Sequence, residues 1–348
     1  MRIDRRVFLA GGGYLLAGAA GLGQLAHAQT RGLRVTHYGG PFQILETVVG
    51  KPFSEQNNVS VVYEVEFSSS AFAKIQAQRE RPPFDIVLVS RAFGLRALHS
   101  DLLTKVSAAD FPEAANVSPG IIPQAGWGAA AMLDTVDIMV DTKQIPTPVT
   151  SWLDLWRDDM KGKIMLPSAV NGATCFGFLA CLVKAVGGNM NSDAAVNEVF
   201  ARLKKLKPAV RSFYTDGSQP NLLIERGDIG VAPQFGIRIA NTSRQSPHIV
   251  KVTPKEGVLA APYDLCITKN SANVDLAKKY INFVLTKKIQ EAQTTNLLAT
   301  PVRKDVTIPP NLASYINTKQ DAIWFQDEEL AASKQRAWLD RFTREVQA

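Results

Sequence analysis

Phe84-Asp85-Ile86-Val87-Leu88-Val89, followed at once by Ser90-Arg91-Ala92, is the stretch on which the fold turns. Five of its first six residues are apolar, three of them β-branched, which reads as a strand buried on both faces. Ser90 is a residue type that caps helices, so the strand hands over directly to a helix. The same handover recurs at Tyr38-Gly39-Gly40-Pro41 and Ser68-Ser69-Ser70-Ala71, after β runs at Leu33–Tyr38 and Val59–Val65. It recurs again at Asn171-Gly172-Ala173-Thr174 and Asp216-Gly217-Ser218-Gln219, after Ile164–Leu166 and Val210–Tyr214. Helical stretches lie at Gln43–Gln56 (interrupted by Pro52), Ala71–Glu80, Thr174–Val186, Ala194–Lys207 and Leu222–Arg226, with a further strand at Ile229–Ala232. Strand–helix alternation of this kind predicts an α/β protein. In open α/β sheets ligands sit beyond the carboxyl ends of the strands, so these five turns are candidate walls of one cleft. Taken singly, each is equally good helix capping.

Two extended stretches break the alternation, Gly126–Val140 and Val258–Thr268. They read either as crossovers between two lobes or as long strands of one sheet. Asp327–Val346 carries Leu330, Trp338, Leu339, Phe342 and Val346 partly at helical spacing and predicts a helix packed on one lobe.

At the N-terminus, Asp4-Arg5-Arg6-Val7-Phe8-Leu9 precedes a Gly- and Ala-rich apolar run that ends in Ala26-His27-Ala28. A charged start, an apolar middle and an A-x-A site in that order predict a cleaved export signal over 1–28. The paired arginines and weakly hydrophobic middle resemble a twin-arginine signal more than an ordinary secretory one. The run is interrupted and ends in a cleavage site, which argues against a permanent anchor. Removal of 1–28 takes three of the 39 Lys and Arg and one of the 32 Asp and Glu, leaving 36 against 31 and a net charge of +5. No basic block stands out, so nucleic-acid binding is disfavoured. Cys175, Cys181 and Cys266 are odd in number and read as buried thiols, without metal-ligand spacing. Motifs of serine hydrolases, zinc proteases, dinucleotide-binding folds and P-loops are missing. After the export signal only His37, His99 and His248 remain as histidines. No catalytic residue, metal or cofactor is therefore expected, although a carboxylate pair assembled in space would escape this reading.

Several segments together resemble the extracellular solute-binding proteins related to spermidine/putrescine receptors. They are Leu33–Gly40, Pro52-Phe53-Ser54-Glu55, Phe84–Val87, Ser151-Trp152-Leu153-Asp154-Leu155-Trp156, Pro254-Lys255-Glu256-Gly257, Ala277–Leu285, Gln290 and Thr300-Pro301-Val302. The resemblance spans nearly all of the chain after the export signal. It implies a type II periplasmic binding fold, with two α/β lobes, two crossover strands and a ligand closed between them. The implied division is 29–135 with 264–348 as the first lobe and 136–263 as the second. It also implies the permease and ATPase of an ABC importer as partners; the chain itself is expected to be periplasmic and monomeric.

Polyamine receptors of this kind sandwich an alkyl chain between aromatic rings and bind its ammonium ends with carboxylates, uses that suit cation–π contacts and charge-assisted hydrogen bonds. By resemblance Tyr38, beside Gly39, takes the first-loop aromatic position, Ser90 the hydroxyl after the third strand, and Tyr263-Asp264 the aromatic-plus-acid segment. The chain departs from the pattern where Pro167-Ser168-Ala169-Val170-Asn171-Gly172-Ala173-Thr174 replaces an acid pair and Pro233-Gln234 replaces a tryptophan. Two pockets follow. One holds a putrescine- or spermidine-like cation with Tyr38, Tyr214, Asp216, Tyr263 and Asp264. The other holds a carboxylate or phosphonate with helix N-termini and Arg91 or Arg238. Trp127 lines the cleft or packs the hinge, and Thr174 and Gln234 complete the candidate set. A periplasmic hydrolase or transferase on the same architecture, and a sensor subunit, are the functional alternatives.

Overall fold

The computed structural model describes residues 32–317 and 320–348. The expected export signal over 1–28 lies outside the described residues. Strands β1 (Gly32–His37), β2 (Ser60–Val65) and β3 (Ile86–Ser90) alternate with helices α1 (Lys51–Asn57), α2 (Ser68–Ala77) and α3 (Arg91–His99). A 13-residue strand β4 (Ala129–Asp141) follows, buried along its whole length. The middle of the chain supplies β5 (Ile164–Pro167), α4 (Gly172–Ala185), α5 (Asp193–Leu206), β6 (Val210–Tyr214), α6 (Gln219–Glu225), β7 (Val231–Phe235), α7 (Gly236–Gln245) and β8 (Ile249–Val252). The last elements are β9 (Val258–Ile267), α8 (Val274–Val284), α9 (Lys287–Leu297), β10 (Ile323–Trp324) and α10 (Glu328–Phe342).

The strand order is β2-β1-β3-β9-β4-β7-β5-β6, with β10 beside β9 and β8 beside β4. β2-β1-β3 and β7-β5-β6 are parallel, as βαβ units require, and β9 and β4 run antiparallel between them. The two expected crossovers are these long strands, and they pair with each other. Ala129–Val136 of β4 lies against Leu265–Leu259 of β9. Beyond that, β4 turns its far end to β7 and β8, while β9 turns its own to β3. Each half has its own core. Leu33, Val35, Ile86, Leu88 and Ile281 belong to one, and Trp152, Phe178, Leu179, Phe200 and Val231 to the other.

Three expectations need correction. Pro52 does not interrupt its helix: helical backbone runs from a π-helical turn at Glu46–Gly50 straight into α1, and Pro52 falls where the two meet. The strand expected at Ile229–Ala232 runs instead over Val231–Phe235. And 264–348 is not all of one lobe, because Ala331, Trp338, Phe342 and Val346 of the last helical segment are buried in the core of the 136–263 half. Trp338 packs on Phe176 of α4, with ring centroids 5.3 Å apart.

A buried polar network crosses the junction of the halves. Thr253 Oγ1 donates to Asp137 Oδ1 at 3.0 Å, and Asn317 Nδ2 donates to Thr135 Oγ1 at 2.6 Å. Every member is partnered, as buried polar groups must be to avoid a desolvation cost.

Candidate functional site

The β1-to-helix turn is built to hold Tyr38. Gly39 has φ +70°, and a Cβ there would stand 2.9 Å from Val65 Cγ1, so only glycine fits. Its N–H donates to His37 Nδ1 at 2.9 Å, and His37 is itself buried with Nε2 on Glu46 Oε1. Tyr38 is left half-buried, its hydroxyl 2.6 Å from Ser68 Oγ, which also accepts the Ser90 N–H at 3.0 Å. The first, second and third βα turns of the first half thus meet at one serine.

Aromatic rings gather around Tyr38. Phe67 stacks on it at 6.0 Å, and Phe42 and Tyr263 meet it edge-on, each at 5.4 Å. Phe67 is 60% exposed, an apolar ring left for a ligand or solvent to cover. Burial pushes the Tyr38 and Tyr263 phenols well up, so both are neutral hydrogen-bonding groups.

Arg91 and Asp264, the candidates of opposite sign, are joined to each other. Arg91 Nε and Nη2 each reach an Asp264 oxygen at 3.1 Å, a bidentate pair. Trp127 Nε1 donates to Asp264 Oδ2 at 2.7 Å, and Arg91 Nη1 donates to the Gly120 carbonyl at 2.8 Å. The guanidinium lies between the Trp127 and Phe325 rings, 5.9 and 5.6 Å from their centroids. All three side chains are buried, Asp264 completely. Their charges cancel, and the Asp264 carboxylate, the Trp127 N–H and three guanidinium N–H groups of Arg91 are engaged within the protein.

In the second half Tyr214 is buried and donates to the Pro233 carbonyl at 2.6 Å. Thr174 is buried and donates to Asn171 Oδ1 at 3.0 Å. Gln234 is buried, donates to the Gly217 carbonyl at 2.8 Å and accepts the Phe235 N–H at 2.8 Å. These three shape the turns from behind. Asp216 is exposed and held low by its hydrogen bonds from Ser218, with a smaller contribution from Arg238. Arg238, half-buried in the first turn of α7, lies against Gly217, where a Cβ would stand 3.2 Å from Nε. Its charge is felt at Asp216, Tyr214 and Tyr263, yet among the described residues it makes no ion pair or side-chain hydrogen bond. The structure therefore brings Tyr38, Gly39, Ser90 and Tyr263 together around Ser68 and the aromatic rings, and Arg238 and Asp216 together at Gly217. Arg91, Trp127 and Asp264 form a separate buried knot.

Sequence reasoning missed two residues. Phe67 is an aromatic at a helix cap, where small polar residues are usual. Asp134 is an acid inside the apolar run of β4. Its Oδ1 accepts the Ile237 N–H of α7 at 3.0 Å and the Thr135 N–H at 2.8 Å. Gly236 is pressed onto β4, where a Cβ would come within 3.2 Å of Asp134 Oδ1. Burial pushes the Asp134 carboxyl up to about 6, against the pull of those two N–H groups.

The family model for bacterial extracellular solute-binding proteins matches residues 49–320. The chain belongs to that family. This solute-binding protein is 25% identical to the spermidine/putrescine-binding periplasmic protein of Escherichia coli over 92% of its own length and 94% of the relative's. It is 23% identical, over 73% of each chain, to a Salmonella typhimurium protein provisionally named as 2-aminoethylphosphonate-binding and periplasmic. An ABC transporter structure from Clostridium perfringens superposes with a TM-score of 0.77 at 25% identity, covering 90% of this chain and 99% of that one. The solute-binding protein is thus a periplasmic substrate-binding component of an ABC transporter, with the type II two-lobed fold.

Proposed function

We propose that this solute-binding protein captures a small organic anion, a carboxylate or phosphonate with an apolar or aliphatic body, and delivers it to its permease by lobe closure. The observation that carries this is the neutralisation of Arg91 by Asp264, which leaves Arg238 as the cleft cation without an ion pair. The anion sits on Arg238 beside Tyr263, and the body of the ligand lies against Tyr38 and Phe67. The helices α3 and α4, whose cap side chains accept no backbone N–H of the first turn, add N–H groups to the same cleft. Support from relatives is divided between polyamine and phosphonate names.

Closure rotates two lobes about β4 and β9. The first is 32–135 with 264–317, and the second is 136–263 joined by α10. The protein acts as a monomer, turns over nothing, and reaches the periplasm by a twin-arginine signal over 1–28.

A thermal-shift panel on refolded, ligand-free protein tests the ligand. Small carboxylates and phosphonates raise the melting temperature of the wild type, and Arg238→Ala abolishes the shift. The aromatic cluster around Tyr38 favours a second reading, a polyamine held mainly by ring faces. A shift with putrescine or spermidine that survives Arg238→Ala establishes that reading and removes the first.

A further inference from the structure

Beyond β4 and β9, a third segment joins the halves, and it does so by contact. β10 pairs with β9 at Val258 and Leu259, and Trp324 stacks under Lys184 of α4, with Nζ 5.3 Å from the ring centroid. The α10 body is buried in the second core. Between these two anchors on the second half, the chain reaches back to the first. Phe325 covers the Arg91 guanidinium and lies against Gly120, where a Cβ would stand 3.7 Å from its ring. Four residues on, Glu329 pairs with His99 at the end of α3, at 3.1 Å. Phe325 remains 36% exposed and the Glu329 pair is exposed on both sides, so neither contact is locked into a core. The same short stretch contains two buried polar atoms without a hydrogen-bond partner, Trp324 Nε1 and Gln326 Oε1. Such groups are rare in native structures and mark segments held against an opposing cost.

We propose that Phe325 and Glu329 form a clasp between the lobes, made in the arrangement described and released in the other, which sets the fraction of molecules competent to hold ligand. The clasp is carried by the second lobe through α10 and grips the first through α3 and the Arg91–Asp264–Trp127 knot. The unpartnered Trp324 and Gln326 groups lower the cost of release, because they regain partners when the stretch moves. Apparent affinity scales with the competent fraction, so residues that touch no ligand tune it. The inference rests on the lobe closure proposed above and not on the ligand's charge.

The test reads lobe separation directly. Cysteines placed at the exposed positions Arg81 and Arg226 carry a fluorophore pair, one on each lobe; the native cysteines are buried and do not compete. Single-molecule energy transfer on the ligand-free full protein gives two populations in the wild type. Phe325→Ala and Glu329→Lys each raise the minor one severalfold, and adding His99→Glu to Glu329→Lys restores the wild-type ratio. Unchanged far-UV circular dichroism and unchanged amide protection of α10 establish that the helix has not simply come off. Two populations that all three variants leave unchanged overturn the clasp alone. One rigid distance, unmoved by the variants or by 2-aminoethylphosphonate and putrescine, overturns clasp and closure together.

Discussion

Arg91 and Asp264 are 173 positions apart in sequence, and each alone has the profile of a ligand residue. What sequence cannot convey is the antiparallel register of β3 and β9, which sets Val89 opposite Asp264 and delivers the acid to the residue just past the strand end. The two candidates cancel for a geometric reason. Breaking the pair leaves a buried charge uncompensated. Asp264→Ala should therefore cost about 3–5 kcal/mol in urea unfolding, whereas the apolar pair Arg91→Met with Asp264→Leu should recover most of it. At Gly39 the reading was sound because a glycine pair after a strand is a local signal. Its φ of +70° and the nearby Val65 make Gly39→Ala more costly than the ordinary effect of about 1 kcal/mol. Loss of Tyr38 placement should weaken ligand binding beyond the loss in stability, which isothermal titration at a temperature well below unfolding can separate.

At the scale of elements, strands and helices were largely legible, because buried parallel strands and capped helices announce themselves in short windows. The exceptions are instructive. α1 begins where Pro52 suggested a break, because the preceding π-helical turn runs straight into it. The role of α7 was invisible, because its first turn is held by Asp134, 103 positions away. That acid makes a prediction about pH. Burial keeps the folded carboxyl neutral up to about pH 6, while in the unfolded chain it ionises from about pH 4. The stability it contributes is complete below pH 4 and is lost as pH rises through 6. Wild-type stability, measured against Asp134→Asn by urea titration, should fall between pH 4 and 7; a difference that grows with pH would contradict the burial argument. On α10, Trp338→Ala opens the second core next to Phe176 and should cost about 3–5 kcal/mol.

For the whole molecule, the pattern of strand, turn and helix was enough to expect two α/β halves, and the two interruptions of that pattern are the strands that join them. The assignment of the last helix failed because amphipathic spacing says that a face is buried, not against which partner. The turns that carry Tyr38, Gly39 and Ser90 were legible because turn chemistry is local, whereas the positions of Phe67 and Asp134 arise from packing and were not.

The return of α10 to the second half has a consequence for how the molecule comes into being on the ribosome. The chain enters the first half with β1, leaves it along β4, comes back along β9, and crosses once more after Asn317. Neither half is an unbroken length of polypeptide. The first lacks β9, α8 and α9 until synthesis has passed residue 297, and the second lacks Trp338, Phe342 and Val346 until it has passed residue 346. The first core can close only once residue 302 is made and the second only once residue 346 is made, so the two do not close in turn as successive independent domains do. Packing of each half therefore waits for segments made long after that half has begun.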